Sequence, residues 1–405
     1  MVTHDVRIDR RIMLQADALM ADGWSVRVVA MPGDPHGGDS APVTRVPDSA
    51  GGARGRAILG SYAALRRVLP MNGPAMRWLK AACWGWVEDP ETFFLRAFRP
   101  VLDGMQADVV VAHDVPMLPV GAWLADRCGA QLVFDSHELW TEKNFPRAWR
   151  RAWSRVECRH IQRCDAVITV NQSIARELER RHGISRVHVI TNAAPAPLPL
   201  HRSLRERCSV PPGDRILLYQ GSFTSGRHLP QCVEAMHLVR APGVHLVLLG
   251  DGVLRSTLEL AAARGPAKGR IHVLPAVPQD ELLAWTAGAD AGLVPYVADC
   301  MNNRLCTPNK LYEFISAGLP ILASDLPELR AAIVGNELGM VAELGTPMRI
   351  ARAIDDFLSD HVRLSRWRAS VVARRAEFGW DVQATRLQSI FRPMRPHEPS
   401  PEAAG

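Results

Sequence analysis

Short apolar runs rich in β-branched residues alternate along this chain with longer stretches in which apolar positions recur every three or four residues. The runs at 24–30 (WSVRVVA), 108–112 (DVVVA), 131–135 (QLVFD), 166–170 (AVITV) and 187–191 (VHVIT) predict strands. So do 216–220 (ILLYQ), 245–249 (HLVLL), 271–274 (IHVL), 291–294 (AGLV) and 320–323 (PILA). Several are apolar almost without a break, the pattern of parallel strands covered on both faces. Over 10–22, Ile12, Met13, Ala16, Leu19 and Met20 share one face of an expected helix. Alternating β and α segments predict an α/β protein built on doubly wound parallel sheets.

Ten strands exceed one ordinary doubly wound domain. The Pro-rich stretch 192–213 (NAAPAPLPLHRSLRERCSVPPG) is the best seam. The expected organisation is a Rossmann-like domain over 1–195, a linker over 196–213 and a second Rossmann-like domain over 214–392. The final helix is expected to cross back to the first domain, and the Pro-rich tail 393–405 to be disordered. Ligands in such sheets bind beyond the carboxyl ends of the strands, so two facing domains would hold the chemistry in the cleft between them. At the start, MVTH reads as the loop before the first helix, with the first strand truncated.

Composition narrows the class. With 405 residues, 47% hydrophobic and 22% charged, wholesale disorder is excluded. No run approaches about 18 uncharged apolar residues, so no membrane-spanning helix is expected. Charges in MVTHDVRIDRRIML interrupt the apolar stretch a signal peptide needs, which points to a cytoplasmic protein. Eight cysteines include no CxxC pair, which argues against zinc ribbons, iron–sulfur clusters and thioredoxin-like chemistry. Glycine fingerprints for a dinucleotide (GxGxxG) or a P-loop are missing too.

Three segments carry candidate chemistry. In 300–320 (CMNNRLCTPNKLYEFISAGLP), Thr307 suits an N-cap and Pro308 the first position of a helix that Gly318 ends. That helix start, with Asn309 and Lys310 in its first turn, offers an anion site. Lys310 opposes the helix dipole, so helix stability alone does not favour it there. Glu313, three residues on, can accept hydrogen bonds from ribose hydroxyls. An ordinary capped helix with a Lys–Glu surface pair fits the same residues. In 215–230 (RILLYQGSFTSGRHLP), a strand runs into a loop with Gly221 and Arg227, suited to a phosphate; a plain βα turn fits it as well. LLGDGV at 248–253 places Gly250 and Gly252 in a third turn.

Together these segments carry a resemblance. YQGSFTSGR, LVLLGDGVL and PNKLYEFISAGLPILASD resemble the donor-binding half of GT-B glycosyltransferases, most closely the large retaining family 4 (glycosyl transferases group 1). DRRIMLQADALMADGWSVRVVA, VVVAHDVPMLP, QLVFDSHELW and DAVITVNQSIARELERRHG follow in that family's order, so the resemblance covers about 5–390. It implies two facing Rossmann-like domains and transfer of a sugar from a nucleotide-diphosphate sugar. The donor side would comprise Gly221, Arg227, Gly250, Asn309, Lys310 and Glu313. Glu313 would bind the ribose, Arg227 and Lys310 would neutralise the diphosphate, and Gly221 would let the backbone approach it. His113 would lie near the transferred sugar, completing a catalytic set of His113, Arg227 and Glu313. Asp135, His137 and Glu138 would line the acceptor side. Leu305 stands where many relatives carry the first of two glutamates with seven residues between them, which leaves Asn302 and Asn303 as substitutes for holding the donor sugar.

No Asp-x-Asp triad is present, so no metal and no cofactor beyond the nucleotide sugar are expected. The resemblance implies a front-face retaining displacement in surface polysaccharide synthesis (lipopolysaccharide or exopolysaccharide), with a glycan or lipid-linked glycan as acceptor. A nucleotide-sugar epimerase and a catalytically idle sugar-nucleotide-binding subunit are the alternatives. Net charge is +6, with cations concentrated in two regions. Arg54, Arg56, Arg66, Arg67, Arg77 and Lys80 are interleaved with Trp78, Trp84 and Trp86. Arg147, Arg150, Arg151, Arg155, Arg159 and Arg163 accompany Trp149 and Trp153. Arginine with tryptophan suits peripheral association with the anionic inner face of the cytoplasmic membrane. A solvated arginine-rich helix with inward tryptophans fits too. No nucleic-acid motif appears.

Overall fold

The computed structural model describes residues 1–33, 41–47, 90–195 and 203–395. It divides into two compact units, Met1–Ile190 with Ala384–Gly405, and Thr191–Gln383. The chain therefore leaves the first unit directly after strand β7 (Val187–Val189) and re-enters it within the helix Trp380–Phe391.

The first unit holds a parallel sheet ordered β3-β2-β1-β4-β5-β6-β7. Its strands are β1 (Val2–Thr3), β2 (Val28–Ala30), β3 (Val43–Arg45), β4 (Val109–His113), β5 (Gln131–Ser136), β6 (Ala166–Thr169) and β7. The expected loop at MVTH is corrected here. Val2 and Thr3 form a strand paired with β2 on one side and β4 on the other. Two residues show no periodicity, and only these neighbours make them a strand. The helix Arg10–Ala21 begins at Asp9, whose side chain accepts from the Arg11 N–H. Its C-terminal end meets the returning chain, where Gln388 Nε2 donates to Ala18 O at 2.8 Å.

The second unit holds a parallel sheet ordered β10-β9-β8-β11-β12-β13. Its strands are β8 (Arg215–Gln220), β9 (Val244–Leu249), β10 (Ile271–Leu274), β11 (Ala291–Val294), β12 (Ile321–Ser324) and β13 (Gly339–Ala342). Every residue of β9, β11 and β12 is buried, as near-continuous apolar strands require. In both sheets the strand order reverses at one point, between β1 and β4 and between β8 and β11. A crevice opens there at the carboxyl ends of the strands.

Two boundaries differ from the expected ones. Residues 203–213, placed in the linker, carry the helix Leu204–Arg207, and Leu204, Cys208 and Val210 are buried in the core of the second unit. Their apolar side chains outweigh the prolines around them. At the other end, residues 393–395 were expected in a disordered tail. Arg392–Met394 instead form a turn of 3-10 helix with Met394 buried. The basic and tryptophan-bearing stretch 54–86 lies outside the described residues. No helix among the described residues is long and apolar enough to cross a membrane.

Candidate active site

In the second unit the crevice is built around the end of β8. Gly221 follows that strand with φ +116°, a conformation that favours glycine. Gly250, after β9, approaches so closely that a Cβ on it would lie 1.9 Å from Gly221 O. Neither position tolerates a larger residue, so the strand ends are held at backbone contact.

The helix over Asn309–Ser316 points its first turn at this place. Pro308 is its cap residue and adopts extended geometry, one position later than the sequence predicts for the cap. The Thr307 carbonyl oxygen accepts from Asn192 Nδ2 at 2.9 Å. Lys310 and Glu313 are buried (8% and 7% exposed), so a solvated Lys–Glu surface pair is not what this helix carries. Lys310 Nζ lies 3.2 Å from the Tyr296 hydroxyl, 4.9 Å from the centre of that ring and 5.0 Å from the Tyr219 ring. It also lies 3.6 Å from where a Gly221 Cβ would stand. Arg227 stacks on the same Tyr296, its guanidinium carbon 3.7 Å from the ring centre. Among the described residues neither cation forms an ion pair with a carboxylate. Aromatic faces attract cations, but they supply no compensating charge. The arrangement therefore favours an incoming anion.

Glu313 is fixed by two residues that the sequence did not single out. Gln220 Nε2 donates to Glu313 Oε2 at 2.5 Å, and Thr286 Oγ1 donates to Gln220 Oε1 at 2.8 Å. Asn309 is exposed at the helix start. Leu305 caps the four-residue helix Met301–Arg304; Asn302 is buried there, and Asn303 Nδ2 donates to Asp299 Oδ1 at 2.7 Å. The structure thus brings together Gly221, Gly250, Arg227, Lys310 and Glu313, and adds Tyr219, Gln220, Thr286 and Tyr296.

In the first unit a polar cluster sits where β4 and β5 end. His113 closes β4 and is fully buried. Its Nδ1 lies 3.2 Å from His137 Nε2 and 3.4 Å from Asp135 Oδ2, and His137 Nε2 lies 3.1 Å from that same oxygen. Asp135 has no exposed surface. Arg11 grips it with Nε at 3.2 Å and a terminal nitrogen at 3.0 Å, and Gln15 Nε2 donates at 2.6 Å. Asp135 therefore holds its neighbours and does not itself face outward. Asp114, at φ 62°, accepts from the His137 N–H at 3.0 Å. Glu138 pairs with Lys143 at 2.7 Å, and that ammonium lies 4.1 Å from the centre of the Trp140 ring.

Charge follows from these contacts. Burial pushes the His113 imidazole down to about 4, so it is neutral at pH 7. Burial also opposes charge on His137, but Asp114 and Asp135 outweigh it and lift that imidazole to about 9. Burial raises Asp114 to about 7. Burial would raise Asp135 as well, yet Arg11 and then His137 hold it well below the usual carboxylate range.

Ligand atoms of His113, Asp135 and His137 come within 4.8 Å of one another. The Arg11 guanidinium already takes both Asp135 oxygens, so this donor set does not fit a cation. Arg11 and Gln15 did have a signal in the sequence. They are polar at i and i+4 beside the apolar face of the first helix, and both are buried.

On the helix Arg147–Ile161, Arg147, Arg151, Arg155 and Arg159 are exposed and four residues apart, forming one ridge. The tryptophans do not share it. Trp153 is buried against Trp140, and Trp149 is half-buried beside Phe145. The expected mixed Arg–Trp surface is thus, on this helix, arginine alone.

The chain matches the family described as glycosyl transferase 4-like domain over residues 8–193, and the family glycosyl transferases group 1 over 214–360. A D-inositol 3-phosphate glycosyltransferase from Xylanimonas cellulosilytica is 26% identical over 310 residues, covering 70% of this chain and 71% of the relative. Among solved structures, sucrose-phosphate synthase from Thermosynechococcus elongatus superposes with a TM-score of 0.72 at 18% identity, covering 97% of this chain and 95% of that one. HepE from Anabaena, solved in complex with UDP, gives 0.66 at 14% identity, covering 97% and 98%.

Proposed function

This chain belongs to the GT-B glycosyltransferases of the group 1, family 4-like type, and we propose that it transfers a sugar from a nucleotide-diphosphate donor to a glycan or lipid-linked glycan. The observation that carries the donor half is Lys310. Its ammonium is buried against Tyr219 and Tyr296, makes no ion pair among the described residues and stands beside Gly221. A diphosphate at the end of β8 would meet Lys310, Arg227, the bare backbone at Gly221 and the N–H groups opening the Asn309–Ser316 helix. Glu313, one turn along and steadied by Gln220, would take the ribose hydroxyls. The UDP in the HepE complex supports a nucleotide of this kind.

In the proposed reaction the bond between the sugar anomeric carbon and the leaving phosphate oxygen breaks. The acceptor hydroxyl oxygen bonds to that carbon on the same face, and its proton passes to the departing phosphate. Charge grows on the diphosphate as the bond breaks, and the two cations and the helix terminus stabilise it there without a metal. His113 positions the sugar or the acceptor. His137 and Glu138 meet the acceptor, while Asp135 holds His137.

The acceptor belongs to surface polysaccharide synthesis in this reading. The named substrate of the Xylanimonas relative, an inositol phosphate, supports a polyhydroxylated anionic acceptor. The ridge of Arg147, Arg151 and Arg155 supports electrostatic attachment to the anionic inner face of the cytoplasmic membrane.

A thermal-shift panel of UDP, GDP, ADP, CMP and NAD, each with and without EDTA, tests the donor half. A ligand at about 100 times its dissociation constant adds roughly 2.7 kcal/mol. Stabilisation by one nucleoside diphosphate, unchanged by EDTA, is expected. Stabilisation by NAD alone, or loss of the shift in EDTA, would overturn the reading.

A further inference from the structure

We infer that His137 sets the tautomer of His113, keeping His113 Nδ1 unprotonated so that its Nε2–H is the group offered to substrate. This rests on the reading that His113 meets the sugar or the acceptor.

The argument is a count of protons. His113 Nδ1, His137 Nε2 and Asp135 Oδ2 lie within 3.4 Å of one another. Two ring nitrogens 3.2 Å apart leave room for one proton between them. Asp135 only accepts, because Arg11 and Gln15 hold it as a carboxylate.

The proton falls to His137 for two geometric reasons. Its Nε2 is nearer the carboxylate, at 3.1 Å against 3.4 Å for His113 Nδ1. Its other nitrogen faces a second acid, with Nδ1 3.8 Å from Asp114 Oδ2. The His137 backbone N–H is tied to that same carboxylate, which fixes the ring in place. Among the described residues no carboxylate bonds His113 Nε2 on its far side. Its Nδ1 lone pair therefore accepts from His137, and its own proton sits on Nε2.

His113 Nε2 is buried and has no hydrogen-bond partner among the described residues. Buried polar groups are rarely left so in native folds, and each exception calls for a reason. A donor N–H fixed at the end of β4, at the point where strand order reverses, suits a hydroxyl or ring oxygen of a carbohydrate. His137 is thus a positioning residue that acts through His113. Sequence spacing alone does not reveal this, because the two rings are 24 positions apart, with a helix and a strand between them.

The tautomer is read directly by long-range proton–nitrogen correlation on protein labelled with nitrogen-15 histidine, with His113 assigned by its loss in His113→Gln. Wild type is expected to show the Nε2–H form. His137→Gln, whose amide still donates, should keep it. His137→Leu should let His113 turn its proton to Nδ1 and Asp135, and should lower kcat roughly 10- to 100-fold with a smaller change in donor KM. A wild-type Nδ1–H form overturns the inference, as does an unchanged tautomer in His137→Leu. Should His137→Leu not fold, a proton on Nδ1 in wild type or in His137→Gln still overturns it. Failure of the underlying reading looks different: His113→Gln would then turn over at the wild-type rate, whatever the tautomer.

Discussion

Gln220 and Glu313, 93 residues apart in the chain, meet side chain to side chain at 2.5 Å in the buried end of the second sheet. The amide gives its N–H to the carboxylate and receives the Thr286 hydroxyl on its oxygen. Glu313 is thereby held before any nucleotide arrives. Glu313→Ala should weaken nucleoside-diphosphate binding about 10- to 100-fold, the scale of a lost hydrogen bond to a charged group. Gln220→Ala should weaken it less, since the carboxylate itself remains. Titration calorimetry with the nucleotide picked out by thermal shift checks both. Wild-type affinity in Glu313→Ala would falsify the ribose role.

Arg227 should matter more for turnover than for nucleoside binding. It stacks on Tyr296, the ring that Lys310 also meets beside Gly221, where the proposed reading puts the phosphate charge. Arg227→Ala is expected to lower kcat about 100-fold, the usual loss when one preorganised donor to a transition-state charge is removed. Affinity for the nucleoside without phosphates should be unchanged. Equal losses in both measurements would place Arg227 in ground-state binding.

His137 should lose its contribution to stability as pH rises from about 6.5 to 9, while the N-terminal amine, lowered by burial to about 5, acts in the opposite sense between about 5 and 8. His137 is lifted from the ordinary 6.5 to about 9, so the folded protein holds a proton that the unfolded chain releases. The stabilisation is complete below 6.5 and lost as pH climbs through 9, and is worth up to about 3 kcal/mol. Asp114, raised to about 7, acts in the same direction over the lower part of this window. His113, lowered to about 4, acts in the opposite sense between about 4 and 6.5 and is spent before the window opens. Wild-type melting temperatures measured across pH 6 to 9.5 should decline relative to those of His137→Gln. Parallel curves for the two proteins would assign the decline to other groups.

The arginine ridge makes a separate prediction. Arg147, Arg151 and Arg155 are exposed and make no ion pair among the described residues, so reversing them to Glu should not disturb the fold. Cosedimentation with vesicles containing anionic lipid should drop in that variant and should weaken with salt in wild type. Neutralising Arg66, Arg67, Arg77 and Lys80 should weaken it further. Binding that survives every one of these changes would make the basic surface a solvated face.

Much of this was legible in the residue order. The apolar runs at 131–135, 216–220, 245–249 and 291–294 lie at or within a residue of strands, because a parallel strand buried on both faces must be apolar throughout. Glu313, Lys310 and Arg227 were singled out by residue type beside turn and cap signals. Val2–Thr3 was not legible, since a two-residue strand has no period and exists only through pairing with β2 and β4. Gln220 reads as the last residue of a strand, and nothing local says that its amide meets Glu313.

The residue order by itself determined most of the strands and helices and which turns carry glycine and charge, because those follow from local periodicity and backbone freedom; the short strands Val2–Thr3, Val43–Arg45 and Gly339–Ala342 and the helix Leu204–Arg207 escaped it. Tertiary structure alone decided which charges are compensated. It buried Lys310 against two tyrosines with no counter-ion among the described residues, closed Asp135 under Arg11 and Gln15, and placed two histidines 3.2 Å apart beside one carboxylate. The reason is physical: solvation and charge pairing depend on distance through space, and residues distant in sequence reach these contacts only after the sheets have formed.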